Sequence, residues 1–530
     1  MATVAPPRPI LPEIPQARPP AWVQRIPPRV GAGAVLLVLM LVSLYMRTRI
    51  INGEFWMDEG LSVGISSHSL TSIPGVLRHD GSPPLYYLLL HIWMSLFGSS
   101  ESQTHGLSLL IALLSIPAGM WTAWSLFGRR AGLIAGVLFA LNPFITAYAE
   151  ETRMYTLMTL LGLLATAAFI HAFVHRRRAY LILFAVCQAL MLYTHSWGIF
   201  YGLGAAVALI PIWQVSDDRR AILRDAVIAF GAAAILFLPW LPTLLYQAAH
   251  TGSPWDSTPN LGAPVQISRN LMGGDRATAA LVLGSAIGLS ALWMRSRRRS
   301  PEALAMWAMI LMPIGTLGFG WILSHFTPVW AFRYFAPIVA ALLLLAALGL
   351  ARARGLGLIA LALTVIFWIN PSSFTAKYKS DMRDLSGELA PYLHAGDVVL
   401  VAQPEQVPLA WYYMPAGLRY ADPTGPARDP QSMNWVDALK RLQHADPRAT
   451  LASLVASLGP GQRLLFVRPL TEGAQNWQAP WTLLVRRRAA EWGQALAADP
   501  SLRPVPGAFA PHNYRGACCV ADSALLYQKT

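Results

Sequence analysis

The feature that most constrains this chain is a series of eleven apolar runs, each near the length that a helix needs to cross a bilayer. They cover about 32–45, 106–127, 131–147, 155–174, 179–194, 197–215, 222–245, 277–294, 302–323, 334–351 and 355–370. Only 13% of the residues are charged, whereas soluble domains carry roughly 25%. The sequence therefore predicts a polytopic α-helical membrane protein with about eleven transmembrane helices.

Arginine clusters between the apolar runs predict the orientation in the membrane. They stand at 128–130, 175–178, 217–220, 295–299 and 352–354. Because cytoplasmic loops are enriched in Lys and Arg, the net charge of +14 reports topology and indicates no nucleic-acid partner. The clusters share the cytoplasmic side if the short run Pro83–Phe97 does not cross the bilayer. We therefore interpret that run as an interfacial or re-entrant helix, within an outer loop at 52–105.

The chain divides into three parts by composition. Residues 1–30 are rich in Pro and Arg and lack the apolar core of a signal peptide, so a disordered cytoplasmic tail is expected. Residues 31–371 would form the transmembrane catalytic domain. In 372–530 the apolar runs shorten and strand-like segments alternate with helical ones, which predicts a soluble, periplasmic α/β domain. The adjacent Cys518 and Cys519 could form a vicinal disulfide or stay two thiols.

With this topology, the unusual polar residues of the chain fall on the outer face. Ionisable groups beside hydrocarbon cost free energy, so their clustering on one face indicates a functional site there. The residues are Asp58, Glu59, His79, Asp80, Glu150, Glu151, Arg153, His195, His325 and Arg333.

The adjacent acids Asp58 and Glu59 follow the first apolar run directly. A transferase that moves a sugar onto a hydroxyl needs a carboxylate to take the hydroxyl proton, and one such base suffices for inverting transfer. Asp58 is the candidate for this base. The alternatives are an exposed loop acid, or an N-cap for a helix over 59–67.

Further candidates stand in the later outer segments. Glu150 and Glu151 could bind a metal, orient an acceptor or pair with Arg153. The guanidinium groups of Arg153 and Arg333 suit an anionic partner such as a phosphate, although Arg333 could instead snorkel towards the headgroups. The three outer histidines lack the helical spacing of a metal site, so the metal ligands stay unknown.

These motifs resemble the glycosyltransferase 39, or protein O-mannosyltransferase-like, branch of the GT-C superfamily. Phe55–Glu59 is similar to the first-loop motif that carries the proposed catalytic aspartate. Asp80–Tyr86 is similar to D-x-H-P-P-L-Y, with Ser82 where histidine is usual. Tyr148–Tyr155 is similar to the second-loop Y-x-Q-E-x-R-M-Y of bacterial members. In the segment that normally reads R-L-P-S, His105 replaces the arginine. Thr194-His195 and Pro328…Arg333-Tyr334 are also like the family.

The resemblance implies a GT-C fold, a polyprenyl-phosphate-linked sugar as donor and inversion at the anomeric carbon. The acceptor would be a hydroxyl of a lipid, glycan or protein at the periplasmic face of the bacterial inner membrane. Asp58 would be the base, and Glu59 or Glu151 would orient the acceptor or a metal. Arg153 and Arg333 would hold the leaving phosphate. The other expected substrate-binding residues are His79, Asp80, Glu150, Tyr155, His195, His325 and Tyr334.

Two points stay open at this stage. An isoprenoid phosphate leaving group requires no nucleotide cofactor, whereas a divalent metal is neither required nor excluded. A transporter or flippase of lipid-linked glycans, or a glycan polymerase or ligase, would share the apolar runs and the cationic residues. A transporter should carry ionisable residues near mid-membrane and often an internal repeat, and the sequence shows neither.

Overall fold

The computed structural model describes residues 28–296, 300–369, 379–470, 478–510 and 521–530. Three of the sequence-based expectations lie largely or wholly outside these residues. They are the tail at 1–30, the domain boundary at 371/372 and the pair Cys518–Cys519.

The first 369 residues, as far as they are described, form a helical unit. Its α-helices are α1 (Pro28–Met46), α2 (Met57–Ser66), α3 (Ile73–Asp80), α4 (Leu85–Phe97), α5 (Glu101–Phe127), α6 (Arg129–Leu141), α7 (Pro143–Ala149), α8 (Tyr155–Phe169), α9 (Ala179–Thr194), α10 (Gly198–Val215), α11 (Arg219–Phe237), α12 (Leu241–His250), α13 (Ala263–Leu271), α14 (Asp275–Ser296), α15 (Pro301–Ser324), α16 (Ala336–Arg352) and α17 (Arg354–Ile369). Short π and 3-10 turns at Ile170–Val174, Leu238–Trp240 and Phe332–Phe335 join some of them.

Helices lie at all eleven predicted apolar runs, and the protein is a multi-pass membrane protein. Within the described residues, seven helical segments are long and apolar enough to span a bilayer, or eight if α6 and α7, bent by 48°, form one span. The helices α1, α9 and α17 are apolar but shorter. The count of eleven spans therefore stays a prediction. The helix α4 has 13 residues, or about 20 Å, which is too short to cross the roughly 30 Å of hydrocarbon.

The C-terminal part contains a small mixed sheet. Its α-helices are α18 (Met382–Leu389), α19 (Val407–Tyr413), α20 (Ala438–His444), α21 (Pro447–Ala456) and α22 (Pro480–Ala498), with 3-10 turns at Ala390–Tyr392 and Pro404–Gln406. Its strands are β1 (Val398–Val401), β2 (Arg419–Asp422), β3 (Gly425–Pro426), β4 (Arg463–Leu470), β5 (Leu502–Ala510) and β6 (Ala521–Lys529). The strand order is β3-β2-β1-β4-β6-β5, and β1 pairs in parallel with both β2 and β4.

The sheet is covered on both faces, because alternate residues of a strand point to opposite sides. Val399 and Val401 of β1 pack with Phe55 and Val63, which belong to the first outer loop. Val398 and Leu400 belong to a second cluster that includes Trp492 and Leu496 of α22. Each of the four β1 residues is therefore buried. One face of the sheet packs directly on the segment that carries Asp58 and Glu59.

Candidate active site

A cavity of about 950 Å³ lies between the helical unit and the C-terminal part. Its wall combines residues from α2, the turn after α7, the loop after α12 and the segment before α16. The C-terminal part contributes Gln403, Glu405, Trp435 and Trp481. Of the sequence-predicted site residues, the cavity wall includes Asp58, Asp80, Glu151, Arg153, His195, Arg333 and Tyr334.

Asp58 stands in the first turn of α2 with its carboxylate at the cavity. Its Oδ2 lies 3.7 Å from Nη2 of Arg153 and 3.5 Å from Nη2 of Arg333. The side chain is 21% exposed, so it remains accessible from the cavity. Two guanidinium groups from distant segments thus converge on one carboxylate at the cavity.

The two arginines are held by their surroundings. Arg153 donates from Nη1 to Ser62 Oγ at 3.0 Å and to the Asp58 carbonyl at 3.3 Å. Its Nε is buried without a hydrogen-bond partner. Arg333 donates from Nε to the Tyr155 hydroxyl at 3.0 Å and lies over the Trp56 ring, 5.5 Å from its centroid. Both cations are therefore fixed beside Asp58.

Two further carboxyl groups on the cavity wall have raised pKa values. Burial, together with the charge of Glu59, raises the pKa of Glu151 to about 7. Its Oε1 accepts a hydrogen bond from the Trp56 indole at 3.2 Å. Burial raises the pKa of Asp80 to about 6, although a hydrogen bond from Ser82 acts in the opposite direction. Both groups can take up and release protons near neutral pH.

Glu59 points away from the cavity and occupies an interior ion-pair network. It accepts from Lys379 Nζ at 2.9 and 3.0 Å, from the Thr152 amide at 2.7 Å, and pairs with His105 Nε2 at 2.7 Å. Burial alone would raise its pKa, but the Lys379 and His105 charges and these hydrogen bonds lower it. The structure thus places Glu59 among structural contacts, whereas the sequence suggested an acceptor-orienting role.

Sequence reasoning missed Lys379 and undervalued His105. Lys379 is buried, lines the cavity, and also donates to the Glu150 carbonyl at 2.7 Å. His105 Nδ1 bonds to the Ile51 carbonyl at 2.7 Å. Because Lys379 is 320 residues from Glu59 in the chain, no local pattern could connect them. The replacement of the expected arginine by His105 was the only sequence signal for this network.

The remaining predicted residues divide between the cavity and other places. His195 packs against Tyr334, with ring centroids 4.7 Å apart and planes tilted by 45°, and its Nδ1 accepts from the Trp197 amide at 3.2 Å. Burial and the two arginine charges lower its pKa to about 3, so it is neutral. Tyr155 lies behind Arg333 and is fully buried. Glu150 accepts from the Ile50 amide at 2.7 Å and is not part of the cavity wall.

His79 and His325 are not brought to the cavity. Each is exposed, and each bonds through Nδ1 to a carbonyl of its own segment, Gly75 and Trp321 respectively. Among the described residues, no group of three or more His, Cys, Asp or Glu side chains could hold a metal ion. His79, His195 and His325 are therefore not brought together as the ligands of one metal ion.

Tyr86 and Tyr87 also differ from a simple expectation for tyrosines near a membrane surface, where they often lie in the headgroup belt. Both are fully buried. The Tyr86 hydroxyl lies 3.4 Å from Ser108 Oγ, and the Tyr87 hydroxyl accepts from Arg153 at 3.5 Å. Tyr87 thus supports the arginine that faces Asp58, whereas Tyr86 reaches it only through Ser108, whose hydroxyl donates to the Arg153 carbonyl at 3.3 Å.

The fold and the site agree with the class indicated by the motifs, that of GT-C membrane glycosyltransferases of the protein O-mannosyltransferase-like type. Comparisons with known proteins confirm this resemblance. Residues 81–246 match the family model described as dolichyl-phosphate-mannose-protein mannosyltransferase. That segment covers under a third of the chain and begins after Asp58. No curated protein sequence matches the chain.

Solved structures match over nearly the whole chain at low sequence identity. ArnT from Cupriavidus metallidurans in the apo state is 15% identical with a TM-score of 0.61, covering 95% of this chain and 98% of that chain. The same protein bound to undecaprenyl phosphate is 16% identical with a TM-score of 0.57, and the match covers 94% of this chain and 97% of that chain. The oligosaccharyltransferase AglB from Archaeoglobus fulgidus, in complex with an inhibitory peptide and a dolichol-phosphate, is 13% identical with a TM-score of 0.51. That match covers 83% of this chain and 69% of that chain. At these identities the likeness establishes the fold.

Proposed function

We propose that this protein is an inverting glycosyltransferase that moves a sugar from a polyprenyl-phosphate donor to an acceptor hydroxyl. The observation that carries this proposal is the Asp58 carboxylate, held at the cavity between Arg153 and Arg333. A carboxylate can accept a hydroxyl proton, and two fixed guanidinium groups can stabilise a phosphate. Both requirements of the reaction meet at one point of the cavity.

The reaction would proceed by a single displacement. The acceptor oxygen attacks the anomeric carbon while its proton passes to Asp58, and the bond from that carbon to the phosphate oxygen breaks. The departing polyprenyl phosphate keeps the electron pair of that bond, and Arg153 and Arg333 neutralise its charge. Because attack and departure occur on opposite faces of the sugar, the anomeric configuration inverts.

Other residues of the cavity wall would position the substrates. Glu151, with a pKa of about 7, can hydrogen-bond to an acceptor hydroxyl in either protonation state. The neutral ring of His195 and the ring of Tyr334 would form an aromatic wall behind Arg333. Asp80 would support Arg153 by an electrostatic interaction between the two side chains. A panel of polyprenyl-phosphate hexoses and pentoses distinguishes which class of sugar is transferred.

The donor and the location follow from the same features. The multi-pass helical unit supports a site beside lipid, where a polyprenyl chain could be held. The structural relatives contain undecaprenyl phosphate and dolichol-phosphate. Together with the predicted arginine topology, this supports a site at the periplasmic face of the inner membrane, with the C-terminal part on the same side. The acceptor would be a lipid, glycan or protein hydroxyl.

No step of this proposal uses a nucleotide or a divalent metal. The two arginines supply the positive charge that a metal would otherwise supply to the leaving phosphate. We therefore expect transfer to persist after dialysis against a chelator. Complete loss of transfer, restored by one divalent metal, would contradict this part.

The test is transfer of radiolabelled sugar from a panel of polyprenyl-phosphate sugars to envelope acceptor fractions by the purified protein. We expect Asp58→Asn to reduce kcat by about hundredfold or more, because the amide cannot take the hydroxyl proton. Asp217→Asn, at an exposed position far along the chain, is the matched control and should transfer like wild type.

Two results would contradict the proposal. Full transfer by Asp58→Asn would exclude Asp58 as the base. Movement of labelled lipid across vesicles by wild type, with no sugar transferred from any donor, would identify a flippase.

A further inference from the structure

Part of the cavity wall carries buried hydrogen-bond acceptors that have no partner. Glu405 is 7% exposed and Gln247 is 3% exposed. Glu405 Oε2, Gln247 Oε1 and Asp256 Oδ2 each lack a hydrogen bond. Leaving a buried polar atom unpaired costs about 1–3 kcal/mol, so such atoms require an explanation. All three residues line the cavity, and a bound ligand would satisfy them.

Glu405 is held in place by its other oxygen. Its Oε1 accepts from Gln403 Nε2 at 2.7 Å and from the Trp481 indole at 2.9 Å. The residue lies in the 3-10 turn that follows β1, at the carboxyl end of a strand with two parallel neighbours. Ligands of such sheets commonly bind at this edge. Its other oxygen is therefore fixed in direction and has no hydrogen-bond partner.

Gln247 is oriented just as firmly. Its Nε2 donates to the Leu77 carbonyl at 2.9 Å and to the Ser82 carbonyl at 3.3 Å. These bonds determine which end of the amide is the oxygen, and that oxygen has no donor. Asp256, on the loop after α12, adds a third acceptor. Burial raises its pKa to about 6.

The three unpaired atoms are all acceptors, and this restricts the ligand. A phosphate has only acceptor oxygens when ionised and cannot satisfy them. A ligand rich in O–H or N–H donors can. Three of the tryptophans on the cavity wall pack together: the Trp435 ring centroid lies 4.3 Å from that of Trp255 and 5.1 Å from that of Trp481. The part of this aromatic cluster that borders the cavity lies beside the polar groups, a combination that suits the C–H face of a sugar ring.

We propose that Glu405, Gln247, Asp256 and Trp435 form a carbohydrate subsite that binds the acceptor as a sugar ring, next to the proposed base. This rests on the proposed function and narrows its acceptor from any hydroxyl compound to a carbohydrate. The subsite joins the loop after α12 to the C-terminal part, which thereby contributes directly to substrate selection. Asp58 is close enough that its charge, after burial, contributes to raising the pKa values of Glu405 and Asp256.

The test compares Glu405→Gln, Trp435→Phe and wild type in nanodiscs without sugar-based detergent. Acceptors are an envelope glycolipid fraction, the same lipids after acid removal of their sugars, and a serine/threonine peptide pool. We expect the glycolipid KM to rise about tenfold in each variant, while the donor KM stays unchanged. Glu405→Gln weakens a hydrogen bond to a charged acceptor, which is worth that much, and Trp435→Phe reduces the aromatic surface beside the sugar. Glu388→Gln, exposed on α18, is the matched control and should resemble wild type.

A second measurement does not depend on transfer. Isothermal titration with the oligosaccharide pool released from those glycolipids, in the absence of donor, should show binding to wild type that Glu405→Gln weakens about tenfold. Thermal unfolding of both variants at wild-type temperature would show that folding is intact. If a variant unfolds, the titration is repeated with the other one, which lies on a different segment.

The outcomes separate the two proposals. If wild type transfers no sugar but binds the oligosaccharides in a Glu405-dependent manner, the transferase proposal fails and the subsite stands. If transfer occurs and the glycolipid KM is the same in all variants, the subsite is wrong. Transfer to the peptide pool alone would also overturn it, since a peptide acceptor needs no sugar ring.

Discussion

At the scale of residues, the adjacent acids Asp58 and Glu59 have opposite environments. Neighbouring residues of a helix point about 100° apart, so one side chain of α2 can face the cavity while the next faces the interior. Asp58 keeps 21% of its side-chain surface exposed, whereas Glu59 is fully buried against Lys379 and His105. One acid is available to a substrate, and the other stabilises the helix that presents it.

The pKa of Glu151, about 7 in the folded protein, predicts a pH-dependent stability. Its usual value is lower, so between about pH 4.5 and 7 the folded state holds a proton that the unfolded state has released. Stability must therefore fall as pH rises through this window. Glu151→Gln should remove about 1 kcal/mol of this fall, because water in the cavity screens part of the effect. Thermal unfolding of wild type and variant at about pH 5 and pH 8 measures it.

The control for this experiment is Glu388→Gln at the exposed position on α18, which should follow the wild-type pH dependence. If the unfolding temperature falls by the same amount between the two pH values in wild type and in Glu151→Gln, Glu151 does not titrate in that range. Any remaining pH dependence of stability would then come from the other two carboxyl groups with raised pKa values, Asp80 and Asp256.

At the scale of elements, one face of α2 packs closely against the C-terminal part. Gly60 and Gly64, four residues apart, lie on one face, and this face meets the C-terminal part. A Cβ added to Gly60 would lie 2.8 Å from Leu409 Cα, and one added to Gly64 would collide with the Gln431 carbonyl. The absence of side chains there lets the backbone of α2 approach the C-terminal part closely.

Gly64→Ala should destabilise this contact by about 1–3 kcal/mol, as overpacking does. The expected readouts are a lower unfolding temperature and faster proteolysis between the two parts of the chain. Gly75→Ala on α3 is the matched control, since nothing lies within 4 Å of its added Cβ. That change should be neutral or slightly stabilising, because alanine favours helices. Equal effects of both substitutions would show that the α2 contact is not close.

At the scale of the whole molecule, the pair Glu59–Lys379 connects the first outer loop to the start of the C-terminal part. Lys379 is 9% exposed and Glu59 is fully buried. Removing one partner of such a pair leaves a buried charge without compensation. Lys379→Met should therefore cost about 3 kcal/mol of stability, and transfer should fall with it because α2 loses its support.

The double variant Lys379→Met/Glu59→Gln distinguishes this explanation from a simple loss of packing. With the buried charge removed, much of the lost stability should return, as shown by thermal unfolding. Lys440→Met is the control, since that lysine is 75% exposed and pairs on the surface with Asp437. A double variant less stable than the single one would contradict the charge argument.

The sequence by itself determined the helical membrane part, the presence of strands in the C-terminal part and the outer motifs that contain Asp58, Glu151, Arg153 and Arg333. These features are written in local patterns: apolar runs of a fixed length, alternation within strands, and short motifs in loops. It also indicated, through the family resemblance, the kind of fold that the structural comparisons confirm. The proposed roles of these residues stay predictions.

Only the tertiary structure decided which neighbours these residues have. It separated Asp58 from Glu59, left His79 and His325 outside the cavity, and brought Lys379 and Glu405 to it from the C-terminal part. The physical reason is that burial and charge pairing depend on segments hundreds of residues apart, whereas sequence patterns describe only near neighbours. The sequence records an acidic residue in the same way whether it is buried or faces a cavity. Its spatial neighbours alone determine whether its carboxylate can meet a substrate.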